Sequence, residues 1–166
     1  MNDAEMKLAR LCIQAGVPEV NFEKPHKLKS GRYSPFYARC AKIQQHIPAR
    51  HVVLQQLATP VVNSVQVMAG VHSSAISFAS QVADRTNLPY VTVREEEKGH
   101  GPGGLLDGAE VAGKLVALVE DSSSRASTIV SALRTLQEAG AQVRSCHVLF
   151  AYHPTDLRTK IFAEGV

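Results

Sequence analysis

Tryptophan is absent from this 166-residue chain, only 5% of its residues are aromatic, and it has three cysteines. With no tryptophan and no Lys/Arg run, nothing marks a surface that tracks nucleic acid. Cys12, Cys40 and Cys146 are odd in number and far apart, with no CxxC pair and no His at metal-ligand spacing. That excludes a disulfide framework and a zinc site, and leaves three reduced, structural thiols. No apolar run approaches the roughly 18 residues that cross a bilayer. The N-terminus carries mixed charge where a leader would have a basic and then an apolar segment, so no membrane partner and a cytoplasmic location are expected. Walker A spacing is missing too. Gly99, Gly101 and Gly104 do satisfy G-x-G-x-x-G, but they follow a charged stretch and no helix pattern begins there, which discounts a dinucleotide fold.

What is present is mildly basic: 18 Lys and Arg against 15 Asp and Glu, a formal charge of +3. Basic groups that matter should therefore sit in local pockets and meet a small anion. Residues 4–15 carry Met6, Ala9, Leu11, Cys12 and Ile13 at near-helical spacing, with Gly16 as a stop. Lys27 to Tyr37 reads as two short extended pieces about a Ser-Gly turn. Pro48 opens a helix that Pro60 should end. There follow a strand at 65–69, a helix at 74–83, a strand at 90–93, a long loop, a strand at 115–119, a helix at 127–139 and a strand at 142–152. The tail from Pro154 is only weakly helical. With no repeats and no linker, this alternation predicts one α/β domain with a mainly parallel central sheet flanked by helices.

Three segments carry candidate chemistry. In the first, the apolar strand Leu115–Val119 ends in Glu120 and Asp121, followed by a small-hydroxyl turn, Ser122, Ser123, Ser124, Arg125, Ala126, Ser127 and Thr128, that opens a helix. A ligand can reach the carboxyl end of a parallel strand, and a helix N-terminus offers unpaired N–H groups and a favourable dipole to a phosphate. Two acids beside that cup can accept hydrogen bonds from sugar hydroxyls or help position a metal-bound sugar, so the implied ligand is a ribose 5-phosphate. The second is the long loop after Tyr90–Val93, where Arg94, Lys98 and His100 lie among four glycines. Those cations suit a lid closing over a departing, negatively charged group. The third, Lys27 to Tyr37, combines Lys29 and Arg32 with the aromatic faces of Phe36 and Tyr37. Each has a plainer alternative, respectively a helix cap, a solvated charge run and a surface hairpin. Their ordered occurrence along one chain argues against the plain versions.

The first segment resembles the phosphoribosyl-pyrophosphate motif of the type I phosphoribosyltransferases. The second and third resemble the catalytic loop and the Leu-Lys-Ser-Gly-Arg-x-Ser-Pro hood sequence of the orotate phosphoribosyltransferases. The resemblance implies a type I phosphoribosyltransferase-like fold with a small N-terminal hood: residues 1–45 as helix and hood, 46–153 as α/β core and 154–166 as a short tail. It implies an Mg²⁺-dependent enzyme that joins orotate or a related base to phosphoribosyl pyrophosphate, with Mg²⁺ held mainly by substrate near Glu120 and Asp121. By the same resemblance, Glu120 and Asp121 hold the ribose hydroxyls and residues 122–128 the 5-phosphate. Arg94, Lys98, His100 and Lys29 meet the pyrophosphate, with Ser73 and Ser74 in the pyrophosphate loop, and Phe36 and Tyr37 flank the base. A homodimer is implied, with the loop 94–108 contributing across its interface.

The chain departs from the family pattern at several positions. Ala126 stands where Gly is frequent, Ser123 where an apolar residue is usual, and Glu95 where a second Lys is usual. The 71–74 stretch lacks a Lys, and His153 stands where an Arg pairs with the substrate carboxylate. These departures keep two alternatives open: a phosphoribosyltransferase for another base, and a non-catalytic module that binds phosphoribosyl pyrophosphate or a nucleotide.

Overall fold

The computed structural model describes residues 3–28, 31–96 and 104–166. The chain divides into two compact units, Met1–Gln55 and Gln56–Val166. In the first, α1 (Asp3–Gln14) ends where the sequence places its stop. Gly16 takes φ +76°, and the Val17 N–H turns back onto the Cys12 carbonyl at 2.9 Å. Four two-residue strands follow: β1 (Glu19–Val20), β2 (His26–Lys27), β3 (Tyr33–Ser34) and β4 (Phe36–Tyr37). β2 pairs with β3 and β1 with β4, both antiparallel. The two extended pieces expected in 27–37 are thus present as β2 and β3, joined through Gly31 at φ +78°. A 3-10 helix, Cys40–Gln45, which no sequence signal announced, precedes α2 (Ile47–Ala58). α2 has Pro48 in its first turn and stops two residues before Pro60.

The second unit contains β5 (Val67–Val71), α3 (Ala75–Thr86), β6 (Tyr90–Val93), β7 (Leu106–Gly108), β8 (Leu115–Ser123), α4 (Ser127–Glu138), β9 (Gln142–Ala151) and α5 (Pro154–Ala163). The five strands form one sheet in the order β7-β6-β5-β8-β9, parallel except for β7 against β6. All five residues of β5 are buried, as a central strand covered on both faces requires. Side chains alternate across the sheet. Val67, Ala69 and Val71 of β5, Val91 and Val93 of β6, and Val116 and Leu118 of β8 share a core with Ile129, Leu133 and Leu136 of α4. Each fully buried aliphatic side chain there contributes about 1.5–3 kcal/mol. On the other face, a Cβ at Gly70 would come within 2.8 Å of Ala79 Cβ, so the absent side chain lets α3 lie close on the sheet.

Three elements differ from the sequence expectation. β8 runs four residues beyond Val119, the loop after β6 returns as the edge strand β7, and the tail forms a ten-residue helix, α5. α5 is held from outside itself. Leu157 joins the core, Arg134 of α4 grips the Glu164 carboxylate with Nη2 at 2.7 Å and Nε at 3.1 Å, and Gln137 Nε2 donates to the Glu164 carbonyl. Among the described residues no helix is long and apolar enough to cross a membrane.

Candidate active site

The carboxyl ends of β5, β6 and β8 bring several of the candidate residues of the second unit to one end of the sheet. On β8 the turn expected from Ser122 onward starts only at Ser124. β9 keeps pairing with it, Glu120 opposite Val148, Ser122 opposite Phe150 and Ser123 opposite Ala151, and the Tyr152 N–H closes the ladder on the Ser123 carbonyl at 2.9 Å. The link to α4 is therefore the three residues Ser124–Ala126. Ala126 takes the left-handed conformation, φ +64°, and its N–H donates to the buried Ser123 Oγ at 3.0 Å. No side chain caps α4 among the described residues. Its first-turn N–H groups, which a helix cannot satisfy internally, face outward with the positive end of the helix dipole. Ser124 and Thr128 are half-buried there, while Arg125 and Ser127 are exposed.

The two acids are not equivalent. Glu120 is buried, with 6% of its surface exposed, and by alternation lies on the face of Val116 and Leu118, whereas Asp121 is half-buried. Each accepts from the next backbone N–H: Asp121 N to Glu120 Oε1 at 3.0 Å, and Ser122 N to Asp121 Oδ1 at 2.8 Å. Burial lifts the Glu120 carboxyl from the usual 4.5 to about 8, helped by its hydrogen bond to Asp121 and by the charges of Asp121 and Glu95. Glu120 thus holds its proton more tightly than a solvated carboxyl, hydrogen-bonded beside Asp121. Neighbouring β9 supplies neutral groups. Burial, with the Glu120 charge second, pushes the Cys146 thiol up to about 12, and burial lowers the His147 imidazole, which sits 2.9 Å from Ser145 Oγ.

At the end of β5, His72 and Ser73 are exposed and Ser74 precedes α3 without a side-chain cap bond; the His72–Ser73 peptide is cis. At the end of β6, Arg94 does not extend freely. Its Nη2 donates to Asp107 Oδ2 at 2.8 Å across the base of the 94–108 segment, while its buried Nε has no partner among the described residues. Lys29, Lys98 and His100 lie outside the described residues. Phe36 and Tyr37 belong to the first unit. There the Phe36 ring meets Phe22 edge-on at 5.8 Å, and the Tyr37 ring has His26 at 5.3 Å and the Arg39 guanidinium at 5.9 Å.

Two residues near the site had no sequence signal: Asp107, which holds Arg94, and Lys160 of α5, whose Nζ donates to the Arg125 carbonyl at 2.8 Å. Among the described residues no group of three or more His, Cys, Asp or Glu could hold a metal ion. The carboxyls of Glu120 and Asp121 remain as a pair of oxygen donors. The arrangement can hold a phosphate on α4, accept from adjacent hydroxyls at Glu120 and Asp121, and offer the Arg94 guanidinium at the β6 end.

Comparison with known proteins agrees with this geometry. A phosphoribosyl transferase domain model matches residues 45–165. An orotate phosphoribosyltransferase of Bacillus cytotoxicus is 30% identical over 166 residues, covering 96% of this chain and 78% of that protein. The orotate phosphoribosyltransferase of Ruegeria sp. strain TM1040 is 31% identical over 149 residues, covering 87% of this chain and 66% of its relative. The crystal structure of orotate phosphoribosyltransferase from Aeropyrum pernix superposes with a TM-score of 0.77 over 95% of this chain and 88% of that one, at 21% identity.

Proposed function

Because the chain belongs to the phosphoribosyltransferase family of pentosyl-transferring enzymes, we propose that it transfers the phosphoribosyl group of phosphoribosyl pyrophosphate to orotate, giving orotidine 5′-monophosphate and pyrophosphate. The observation that carries this is the acidic pair near the carboxyl end of β8, five residues before the uncapped N-terminus of α4. α4 takes the 5-phosphate, while Asp121 accepts from the ribose hydroxyls and Glu120, protonated when free, donates or accepts beside it. Departure of pyrophosphate leaves positive charge on the ribose ring and builds negative charge on the leaving group. Arg94, Lys98, His100 and Lys29 offset that negative charge, and Ser73 and Ser74 bind the same group. Phe36 and Tyr37 offer aromatic faces to the base.

Two carboxyls without a third protein ligand among the described residues fit an Mg²⁺ ion carried on substrate oxygens. When bound, it supplies further neutralisation of the pyrophosphate. We place the protein in the cytoplasm, where its three free cysteines suit a reducing medium. We also propose a homodimer in which the 94–108 segment completes the partner's site; sedimentation as a strict monomer at micromolar concentration refutes that.

One observation favours a second reading, transfer to another base. His153 is exposed at the start of α5, where an imidazole cannot make the bidentate contact of a guanidinium to a carboxylate. The test mixes purified protein with orotate, Mg²⁺ and phosphoribosyl pyrophosphate and follows orotate loss, with Asp121→Asn as control. Turnover that the variant abolishes supports the orotate reaction. Silence with orotate but pyrophosphate release with another base supports the second reading, and silence with every base leaves a binding module.

A further inference from the structure

The peptide unit between Arg125 and Ala126 is pinned at both ends from different directions. Its N–H, on Ala126, donates to Ser123 Oγ on β8 at 3.0 Å, and its carbonyl, on Arg125, accepts from Lys160 Nζ on α5 at 2.8 Å. The second pin is anchored in turn, because α5 is fixed to α4 by the Arg134–Glu164 pair and the Gln137 bond, and to the core by Leu157. A pin is needed at this position. Ala126 sits at φ +64°, a conformation unfavourable for any residue with a Cβ. Rotating the 125–126 peptide by about half a turn returns Ala126 to negative φ, and in the same motion swings the Arg125 carbonyl oxygen to the side where the N–H had been. That motion breaks both pins and changes the direction in which the chain enters α4, and with it the aim of the first-turn N–H groups.

We infer that Lys160 is a positioning residue for the anion loop, holding the Arg125 carbonyl turned toward α5 so that the 124–126 link keeps the shape that aims the first-turn N–H groups of α4 at a phosphate. The inference rests on the reading of the α4 N-terminus as the 5-phosphate site. It gives α5 a role in ligand binding that its surface position and short polar sequence do not announce. Lys160 acts through the Arg125–Ala126 peptide. Its loss should therefore weaken ground-state phosphate binding and leave the rate of the bound complex nearly unchanged. The defect should shrink when Ala126 becomes glycine, which adopts positive φ without strain.

The test is calorimetric titration of the full chain with ribose 5-phosphate, which needs neither Mg²⁺ nor a base, on wild type, Lys160→Met, Lys160→Arg and Lys160→Met/Ala126→Gly. Wild type binds, Lys160→Met binds about tenfold more weakly, the scale of one charge-assisted hydrogen bond, and both Lys160→Arg and the double variant recover most of the loss. The loss should persist at about 0.5 M salt, where a mere through-space charge effect is screened. If wild type binds and Lys160→Met binds equally well, or its defect disappears in salt, the positioning role is overturned while the phosphate site stands. If wild type fails to bind ribose 5-phosphate, the phosphate site and the role of Lys160 fall together. Thermal melts of the unliganded proteins separate a simple loss of fold, which lowers the melting temperature of Lys160→Met and is not repaired by Ala126→Gly.

Discussion

Replacing Glu120 by glutamine should make the unliganded protein more stable and a poorer catalyst, and the size of the first effect follows from the site. The carboxyl has an ordinary pKa of 4.5 when solvated and about 8 in the fold, chiefly because it is buried. Below 4.5 it is protonated in both states and costs nothing. Between 4.5 and 8 the unfolded chain gives up the proton and the folded chain keeps it, so unfolding becomes easier by about 1.4 kcal/mol per pH unit. Above 8 the loss levels off, at roughly 5 kcal/mol for the full interval. Glutamine has no proton to lose, and its amide can still accept from the Asp121 N–H and donate to the Asp121 carboxylate. His147, whose pKa burial lowers, acts in the opposite sense, its stability contribution rising with pH up to its ordinary 6.5; Cys146, pushed up to about 12, keeps its proton throughout. Both groups are common to the two proteins, so the difference between them isolates Glu120. Urea unfolding at intervals from pH 5 to 8.5 should give near-equal stabilities at the acid end and a gap of several kcal/mol, on the order of 3–5, at pH 8. Parallel stability curves, or a wild type more stable than the variant at pH 8, would falsify the burial argument. Orotate turnover of the variant should fall at least about tenfold, since the amide cannot give up a proton to become a charged acceptor when sugar hydroxyls reach it.

Two further substitutions test the backbone around the site. Ser123→Ala leaves the buried Ala126 N–H without its acceptor, so it should cost about 1–3 kcal/mol. That lowers the melting temperature by about 2–4 °C for each kcal/mol; a melt unchanged from wild type removes the first pin from the loop argument. Gly108→Ala puts a Cβ 2.5 Å from the Tyr90 carbonyl at a φ of +132°, which should cost about 1–3 kcal/mol or more by overpacking alone. Limited proteolysis should then cut the 94–108 segment faster, and equal cutting rates in variant and wild type would show that β7 does not depend on this close approach.

The parts of the fold legible in the sequence are those whose signal is local. Leu115–Val119 and Tyr90–Val93 are apolar runs because β8 and β6 lie inside a covered parallel sheet, and Gly16 and Pro60 mark ends because their backbone chemistry acts on the spot. The serines after Asp121 read as a turn because serine and aspartate favour turns. Ser122 and Ser123 lie in a strand because Phe150 and Ala151, distant in sequence, pair with them. β7 was invisible for a related reason: Leu106-Asp107-Gly108 is three residues long with a turn-like dipeptide, and only its antiparallel register with Val91–Val93 makes it a strand. α5 lacks an apolar stripe and depends on Leu157 and on the grip of Arg134 and Gln137 on Glu164. Asp107 and Lys160 are single charged residues, and nothing in their neighbours tells that one meets Arg94 and the other a loop carbonyl.

The seven residues from Glu120 to Ala126 gather three local costs: a buried carboxyl, a left-handed alanine and an uncapped helix N-terminus. A fold selected for stability alone would relieve each of them, with an apolar side chain at 120, glycine at 126 and a serine or aspartate cap on α4. All three become favourable with one kind of ligand, since hydroxyl groups solvate the carboxyls and a phosphate satisfies both the helix N–H groups and the loop that the left-handed residue shapes. Phosphate and hydroxyls a few bonds apart describe a phosphorylated sugar. These costs in β8 and its loop are therefore physical support for the proposed ligand class, separate from the similarity to orotate phosphoribosyltransferases, and the Ser123 hydroxyl and the Lys160 ammonium hold the peptide in a shape that a glycine at 126 would adopt without strain.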